Sequence, residues 1–200
     1  MTKLKLLINT PDLDLLGGVS NHYLGLKKYW SFKVQYNTIG SRYGLPGILL
    51  MPYDILNFLM KCILFKPKVV LLNPSLGPKA LRRDAIFLKI SKLLRIHTLV
   101  FFHGWDSQME LYFDSNPIKF ERLFKKADGF FVLSKEFQFK LKQWGIKSPI
   151  HLTTTKVDDK LITDFDINKK TNNGNLLFLA RIEREKGIYI ALETFRILLK

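Results

Sequence analysis

Apolar residues along this chain occur in short unbroken runs, separated by stretches in which they recur every three or four positions. The runs predict strands near residues 4–9, 32–38, 68–73, 98–102, 129–133, 149–152 and 175–180. The stretches between them predict helices near 20–30, 53–65, 80–95, 118–126 and 135–144. Strands that are apolar throughout are buried on both faces, and strands alternating with helices build parallel sheets. The expected fold class is therefore α/β, a Rossmann-like parallel sheet with helices on both faces. End signals agree with these elements. Asn116 with Pro117 opens one helix, Ser134 caps the next, and Gly145 after Trp144 stops it, with Phe137, Leu141 and Trp144 as its apolar stripe.

The segment Ile48 to Phe65 is apolar over nearly the length of a membrane span. Pro52, Asp54, Asn57 and Lys61 argue against spanning. Leu56, Leu59, Cys62 and Ile63 follow a helical stripe, so burial against the sheet accounts for most of the apolar content. Phe58, Leu64 and Phe65 fall on other faces and leave room for contact with lipid.

A boundary falls between Asp164 and Asn175, where the sequence is polar, rich in Asn and without periodicity. After it come one predicted strand and one helix, with Ile188, Ala191, Leu192, Phe195, Leu198 and Leu199 in need of cover. One βα unit cannot bury its own two faces. Either a longer protein supplies the remainder, which is the favoured expectation, or the helix folds back on the first domain.

Composition narrows the class. With 47% hydrophobic and 24% charged residues the chain is globular rather than disordered. The single cysteine, Cys62, can form no internal disulfide, which fits a reducing compartment and argues against cysteine-based metal sites. Met1 to Ile8 is too short an apolar run for a signal peptide, so a cytoplasmic location is expected. Thirty-two Lys and Arg against 17 Asp and Glu give +15, a field that attracts polyanions. Lys79, Arg82, Arg83, Lys89, Lys92 and Arg95 crowd one helical region with apolar residues between them, as at a membrane interface. No zinc spacing, RNP-like aromatic motif or basic tail accompanies them, so no nucleic acid is expected as a partner. Peripheral contact with the inner face of an anionic cell membrane is.

Chemistry concentrates at strand ends. Leu177 to Ala180 leads into Arg181, a short charged turn, and Lys186-Gly187 at the start of a helix. Free backbone N–H groups, the helix dipole and two cations make an anion trap suited to a diphosphate. Arg181 can instead pair with Glu183 or Glu185, leaving Lys186 solvated. Gly17-Gly18, between the first strand and first helix, lets backbone N–H groups approach a phosphate or sugar, or simply forms a tight turn. It lacks the Gly-x-Gly-x-x-Gly fingerprint, which disfavours a nicotinamide enzyme. Asn73-Pro74-Ser75-Leu76-Gly77 follows the third strand and is polar enough to meet an acceptor. Phe101-Phe102 delivers His103 to a strand's carboxyl end, where it can hydrogen-bond a sugar hydroxyl or the reacting centre. Asp106 either orients that His or caps the following helix.

Four features in this order resemble family 4 glycosyltransferases of the GT-B fold: Gly17-Gly18-Val19, His103-Gly104, the Val132-Leu133-Ser134 strand end, and the Arg181 to Lys186-Gly187 turn, with Ala180 in the usual Gly position. The resemblance implies an N-terminal Rossmann-like, acceptor-side domain over 1–164, a linker over 165–174, and over 175–200 the first βα unit of a second Rossmann-like, nucleotide-sugar-binding domain. It implies a retaining enzyme that moves a sugar from a nucleotide-sugar donor to a lipid-linked or saccharide acceptor in surface polysaccharide or glycolipid synthesis. By the same resemblance the site lies in the cleft between domains and His103 is catalytic. Gly17, Gly18, Arg181 and Lys186 hold the donor diphosphate, while Asn73, Ser75 and Asp106 contact acceptor or sugar. No metal and no cofactor are implied; Asp12-Leu13-Asp14 and Asp164-Phe165-Asp166 have the spacing of a metal motif but sit before a helix and in the linker. Thr155-Lys156-Val157-Asp158 departs from the family's Asn-Gly-Val-Asp, and its paired glutamates would lie beyond Lys200, so the chain alone is expected to be an incomplete enzyme. Two alternatives stay open: a non-catalytic basic module binding membrane or nucleic acid, and a GT-B sugar-nucleotide epimerase or phosphorylase.

Overall fold

Six strands form one sheet: β1 (Lys5–Thr10), β2 (Lys33–Thr38), β3 (Val69–Leu72), β4 (His97–Phe101), β5 (Gly129–Val132) and β6 (Ile150–Leu152). Every pairing is parallel, in the order β2-β1-β3-β4-β5-β6. The computed structural model describes residues 4–15, 17–156, 166, 174–180, 182 and 184–199. The chain divides into two units, residues 1–161 and 162–200, and the sheet belongs to the first.

The helices of this unit are α1 (Gly18–Leu26), α2 (Gly47–Phe65), α3 (Pro78–Leu93), α4 (Ser107–Ser115), α5 (Pro117–Phe124) and α6 (Lys135–Gln143). Side chains that alternate along a strand supply two cores. Leu7, Val70, Leu72, Val100 and Phe130 pack with Phe58 of α2, Phe87 of α3, Phe120 of α5 and Leu141 of α6. Leu6, Ile8, Leu71 and Phe101 pack with Tyr23 of α1 on the other side. The fold is thus α/β, an open all-parallel sheet with helices on both faces, consistent with a Rossmann-like layer. The chain leaves β1 toward β2 on one side and returns to β3 on the other. The loops after β1 and β3 therefore diverge, opening a crevice at the carboxyl ends of the strands.

Several local expectations hold. Ser134 Oγ accepts the Phe137 N–H at 3.1 Å, and Gly145 ends α6 at φ 88°. Cys62 is buried, and burial pushes its thiol up to about 12. Asn116 does not cap α5 through its side chain, which instead donates to the Tyr112 carbonyl; Pro117 supplies the helix start. The sequence offers Asp106 as a candidate cap of a following helix but sets no range for α4. Phe113 is its one buried residue, so its sequence carries too little apolar periodicity to be seen.

The register of α2 also differs. It starts at Gly47, since Pro52 lies in its second turn and removes a single hydrogen bond, to Ile48. Of the expected inward stripe only Cys62 is fully buried; Leu56 is 59% exposed and Ile63 is 50% exposed. The buried residues are Asp54, Phe58 and Cys62. Asp54 sets that register by pairing with Arg42 at 2.6 Å and accepting the Gly40 N–H at 3.1 Å, while Phe58 meets Phe87 ring to ring at 4.9 Å.

In the second unit, residues 174–179 form no strand, against the expectation for 175–180. Extended backbone becomes a strand only with a neighbouring ladder to satisfy its N–H and C=O groups, and the described residues of this unit supply none. The expected helix is present as α7 (Ile188–Leu198), entered through a 3-10 turn at Arg184–Lys186.

Candidate functional site

His103 is the second residue past the end of β4, and its position is fixed by the contact of two loops. Ser75 and Gly104 form a parallel bridge, and Leu76 N–H donates to the Gly104 carbonyl at 2.8 Å. A Cβ on residue 104 would stand 3.0 Å from Ser75 Cβ, closer than two such carbons pack. A side chain there would press the loops after β3 and β4 apart by a few tenths of an ångström. Their meeting places His103 beside Asn73.

Asn73 Oδ1 receives the Tyr23 hydroxyl at 2.5 Å and His103 Nε2 at 3.0 Å, and Asn73 Nδ2 donates to the Asn9 carbonyl at 2.7 Å. An amide oxygen only accepts, so the His103 proton sits on Nε2 and Nδ1 presents a lone pair. That Nδ1 is buried without a hydrogen-bond partner, as are Asn9 Nδ2 and Thr10 Oγ1 at the same end of the sheet. Such atoms are costly to leave unsatisfied and point to a polar ligand or solvent at this edge.

His22 of α1 adds a second imidazole, its ring centroid 5.2 Å from that of His103. Its Nδ1 accepts the Lys156 N–H at 2.8 Å, which leaves its proton on Nε2. Burial lowers the His22 pKa. Burial and the neighbouring His22 push His103 down to about 3, so it is neutral at physiological pH. A neutral imidazole held this way is an acceptor for a hydroxyl and a poor proton carrier. Of the two imidazoles only His22 lines a cavity of about 350 Å³, together with Tyr23, Trp30, Phe101, Phe131 and residues Thr153 to Lys156. Aromatic side chains and threonines in one lining suit a sugar ring or a similar amphipathic group.

The remaining sequence candidates fall in separate places. Gly17 caps and Gly18 begins α1; neither lies in the left-handed region, and a Cβ on either would meet nothing within 4 Å. Neither turn geometry nor packing therefore demands glycine there. Asp12 closes this loop on itself, its carboxylate accepting the Asp14 N–H and its carbonyl the Ser20 hydroxyl. Asp106 caps α4 by accepting the Met109 N–H at 2.9 Å, so Asn73 rather than Asp106 orients His103. Asn73 itself is buried with both polar atoms engaged, and Ser75 is exposed at the loop contact. Lys186 is exposed at the end of its 3-10 turn, and Gly187 starts α7 with φ 79°, a conformation that favours glycine. Arg181 lies outside the described residues. Among the described residues no group of three His, Cys, Asp or Glu could hold a metal ion.

No protein-family model and no curated protein matches this sequence. What the site can do rests on its residues. Sequence patterns missed His22, Tyr23 and Asn9. His22 and Tyr23 fall on successive positions one turn into α1, just past Gly17-Gly18, and that placement was the only local signal for them.

Proposed function

We propose that the protein is a glycosyltransferase that moves a sugar from a nucleotide-sugar donor to a hydroxyl of a lipid-linked or saccharide acceptor. The observation that carries this reading is His103, presented at the crevice where the sheet order reverses and locked by Asn73 with an unpaired acceptor nitrogen. Open parallel sheets bind ligands at this position, and a buried acceptor there selects a hydroxyl-bearing group. The resemblance of Gly17-Gly18, His103-Gly104 and the 181–187 turn to family 4 GT-B enzymes supports the same chemistry.

In this reading the bond from the anomeric carbon to the β-phosphate oxygen breaks, and a bond to the acceptor oxygen forms with retention. Negative charge develops on the departing diphosphate. Arg181, Lys186 and the N-terminus of α7 stabilise that charge more than they stabilise the bound donor, which lowers the barrier. His103 accepts a hydrogen bond from a sugar hydroxyl and orients the ring. An imidazole held near 3 is a weaker base than a terminal phosphate, whose second pKa is about 6, so the acceptor proton leaves with the diphosphate.

Calorimetry of UDP, GDP and ADP on the full-length protein tests the reading. One of the three is expected to bind, with affinity falling at least about tenfold in both Arg181→Ala and Lys186→Ala. Absence of binding to all three nucleotides would refute it.

A further inference from the structure

The outward side of α2 is an exposed apolar surface. Ile48, Leu49, Tyr53, Leu56, Met60 and Leu64 are all between 46% and 78% exposed, and from Leu49 onward they recur at helical spacing. The two charged residues of α2 both turn inward: Asp54 to Arg42, and Lys61 to the Tyr36 carbonyl at 2.7 Å. Nineteen residues, about 28 Å of helix, thus present a continuous side without charge. A solvated helix of a globular protein carries polar residues on that side.

The neighbouring helix supplies what α2 lacks. α3 packs against α2 through Phe87 and Phe58, on the same face of the sheet. Its exposed residues Lys79, Arg82, Ile86, Lys89 and Leu93 recur at spacings of three and four. Of the basic residues crowded here, Arg83 is bound to Asp84 and Lys92 to Asp128, both through short ion pairs. Lys79, Arg82 and Lys89 have no carboxylate partner among the described residues and point outward. An apolar helix side therefore lies beside a row of uncommitted cations.

We propose that the joint outward face of α2 and α3 docks the protein on an anionic lipid bilayer, with α2 lying in the plane of the interface. Apolar side chains enter the acyl boundary while the cations of α3 meet lipid phosphates. A second copy of the chain would set Lys79, Arg82 and Lys89 against one another in a symmetric contact, which the shared positive charge opposes. By length and composition α2 also satisfies the requirement for crossing a membrane. Crossing would strip Asp54 from Arg42 and Phe58 from the core, so docking in the plane is the arrangement that keeps the fold. The inference does not depend on the transfer reaction.

Vesicle flotation of the full chain tests it, with phosphatidylcholine alone and phosphatidylcholine mixed with phosphatidylglycerol. Binding is expected to be at least about tenfold stronger to the anionic vesicles. It should fall about tenfold or more in Leu56→Glu/Met60→Glu and in Lys79→Glu/Arg82→Glu/Lys89→Glu, both with wild-type circular dichroism. The triple variant touches no buried residue, so it remains informative if the α2 pair misfolds. Undiminished binding in the triple variant would overturn the proposal. So would retention on vesicles after an alkaline carbonate wash, which marks a spanning helix. A stable dimer by light scattering that Leu56→Glu/Met60→Glu converts to monomer, with no vesicle binding by the wild type, would assign the face to a second copy instead.

Discussion

The crevice at the carboxyl ends of β1, β3 and β4 holds polar groups away from water, whereas the outward side of α2 holds apolar groups in it. In the crevice Asn73 ties Tyr23, His103 and Asn9 into one network, and the atoms left over are acceptors and donors with no protein partner. On α2 the charged residues are drawn inward to Arg42 and Tyr36, and what remains outside is apolar. Each region departs from the ordinary partition of polar and apolar surface, and they depart in opposite senses. A buried polar network is stable only when its groups are matched, so it selects one ligand geometry. An exposed apolar helix is indifferent to geometry and selects a medium. The first is the mark of a small-molecule site and the second of an interface.

The comparison can be broken most forcefully on α2. Phe58→Ala is expected to destabilise the first unit by about 3–5 kcal/mol, while Leu56→Ala, two residues earlier, changes stability by no more than about 0.5 kcal/mol in urea unfolding. Similar losses at both positions would mean that Leu56 is core. In the crevice, Asn73→Leu leaves the Tyr23 hydroxyl and His103 Nε2–H unpaired, and about 2–3 kcal/mol of stability should be lost. A loss below about 0.5 kcal/mol would show that the network is not matched as described.

The pH dependence sharpens the contrast further. His103 is held near 3 in the folded chain against 6.5 ordinarily, so the unfolded chain takes up the proton first. Its contribution is therefore complete above about 6.5 and is lost as pH falls toward 3, by up to about 1.4 kcal/mol per pH unit. Stability curves of wild type and His103→Gln should accordingly converge on acidification, while the lowered pKa of His22 gives both curves a slope in the same direction. Parallel curves between pH 7 and 4 would contradict the burial of His103. A more modest loss than at Phe58 is expected at Gly104→Ala, where the loops after β3 and β4 must part by a few tenths of an ångström. About 1–2 kcal/mol should be lost, with the His103 resonances shifted in NMR spectra.

The inner strands β1, β3, β4 and β5 were legible because each carries a run of apolar residues, the pattern of a doubly covered parallel strand. The edge strands β2 and β6 are more polar, and in β2 Val34 and Tyr36 alternate with polar residues. The register of α2 was not legible. Its apolar residues surround the helix, so no stripe stands out, and the inward side is chosen by Asp54 through Arg42, twelve residues away. The strand expected at 175–180 failed for a related reason: its apolar content is plain, but a ladder partner is not a property of the segment. Within the crevice, His103 was visible from its place after an apolar strand. The residues that give it one tautomer were not, because Tyr23 reaches Asn73 across 50 positions and Asn73 reaches His103 across 30. Local sequence marks His103; what orients it comes from topology.

The most direct measurement is ¹⁵N NMR of the His103 ring in the full-length protein, titrated with pH and then with UDP-, GDP- and ADP-sugars. The expected spectrum is a neutral imidazole protonated on Nε2 down to about pH 4, with one nucleotide-sugar shifting the Nδ1 resonance as it accepts a hydroxyl and leaving Nε2 on Asn73. An imidazolium already formed at pH 6, or an Nδ1 signal unmoved by every nucleotide-sugar, would contradict the assignment of this crevice as the sugar site.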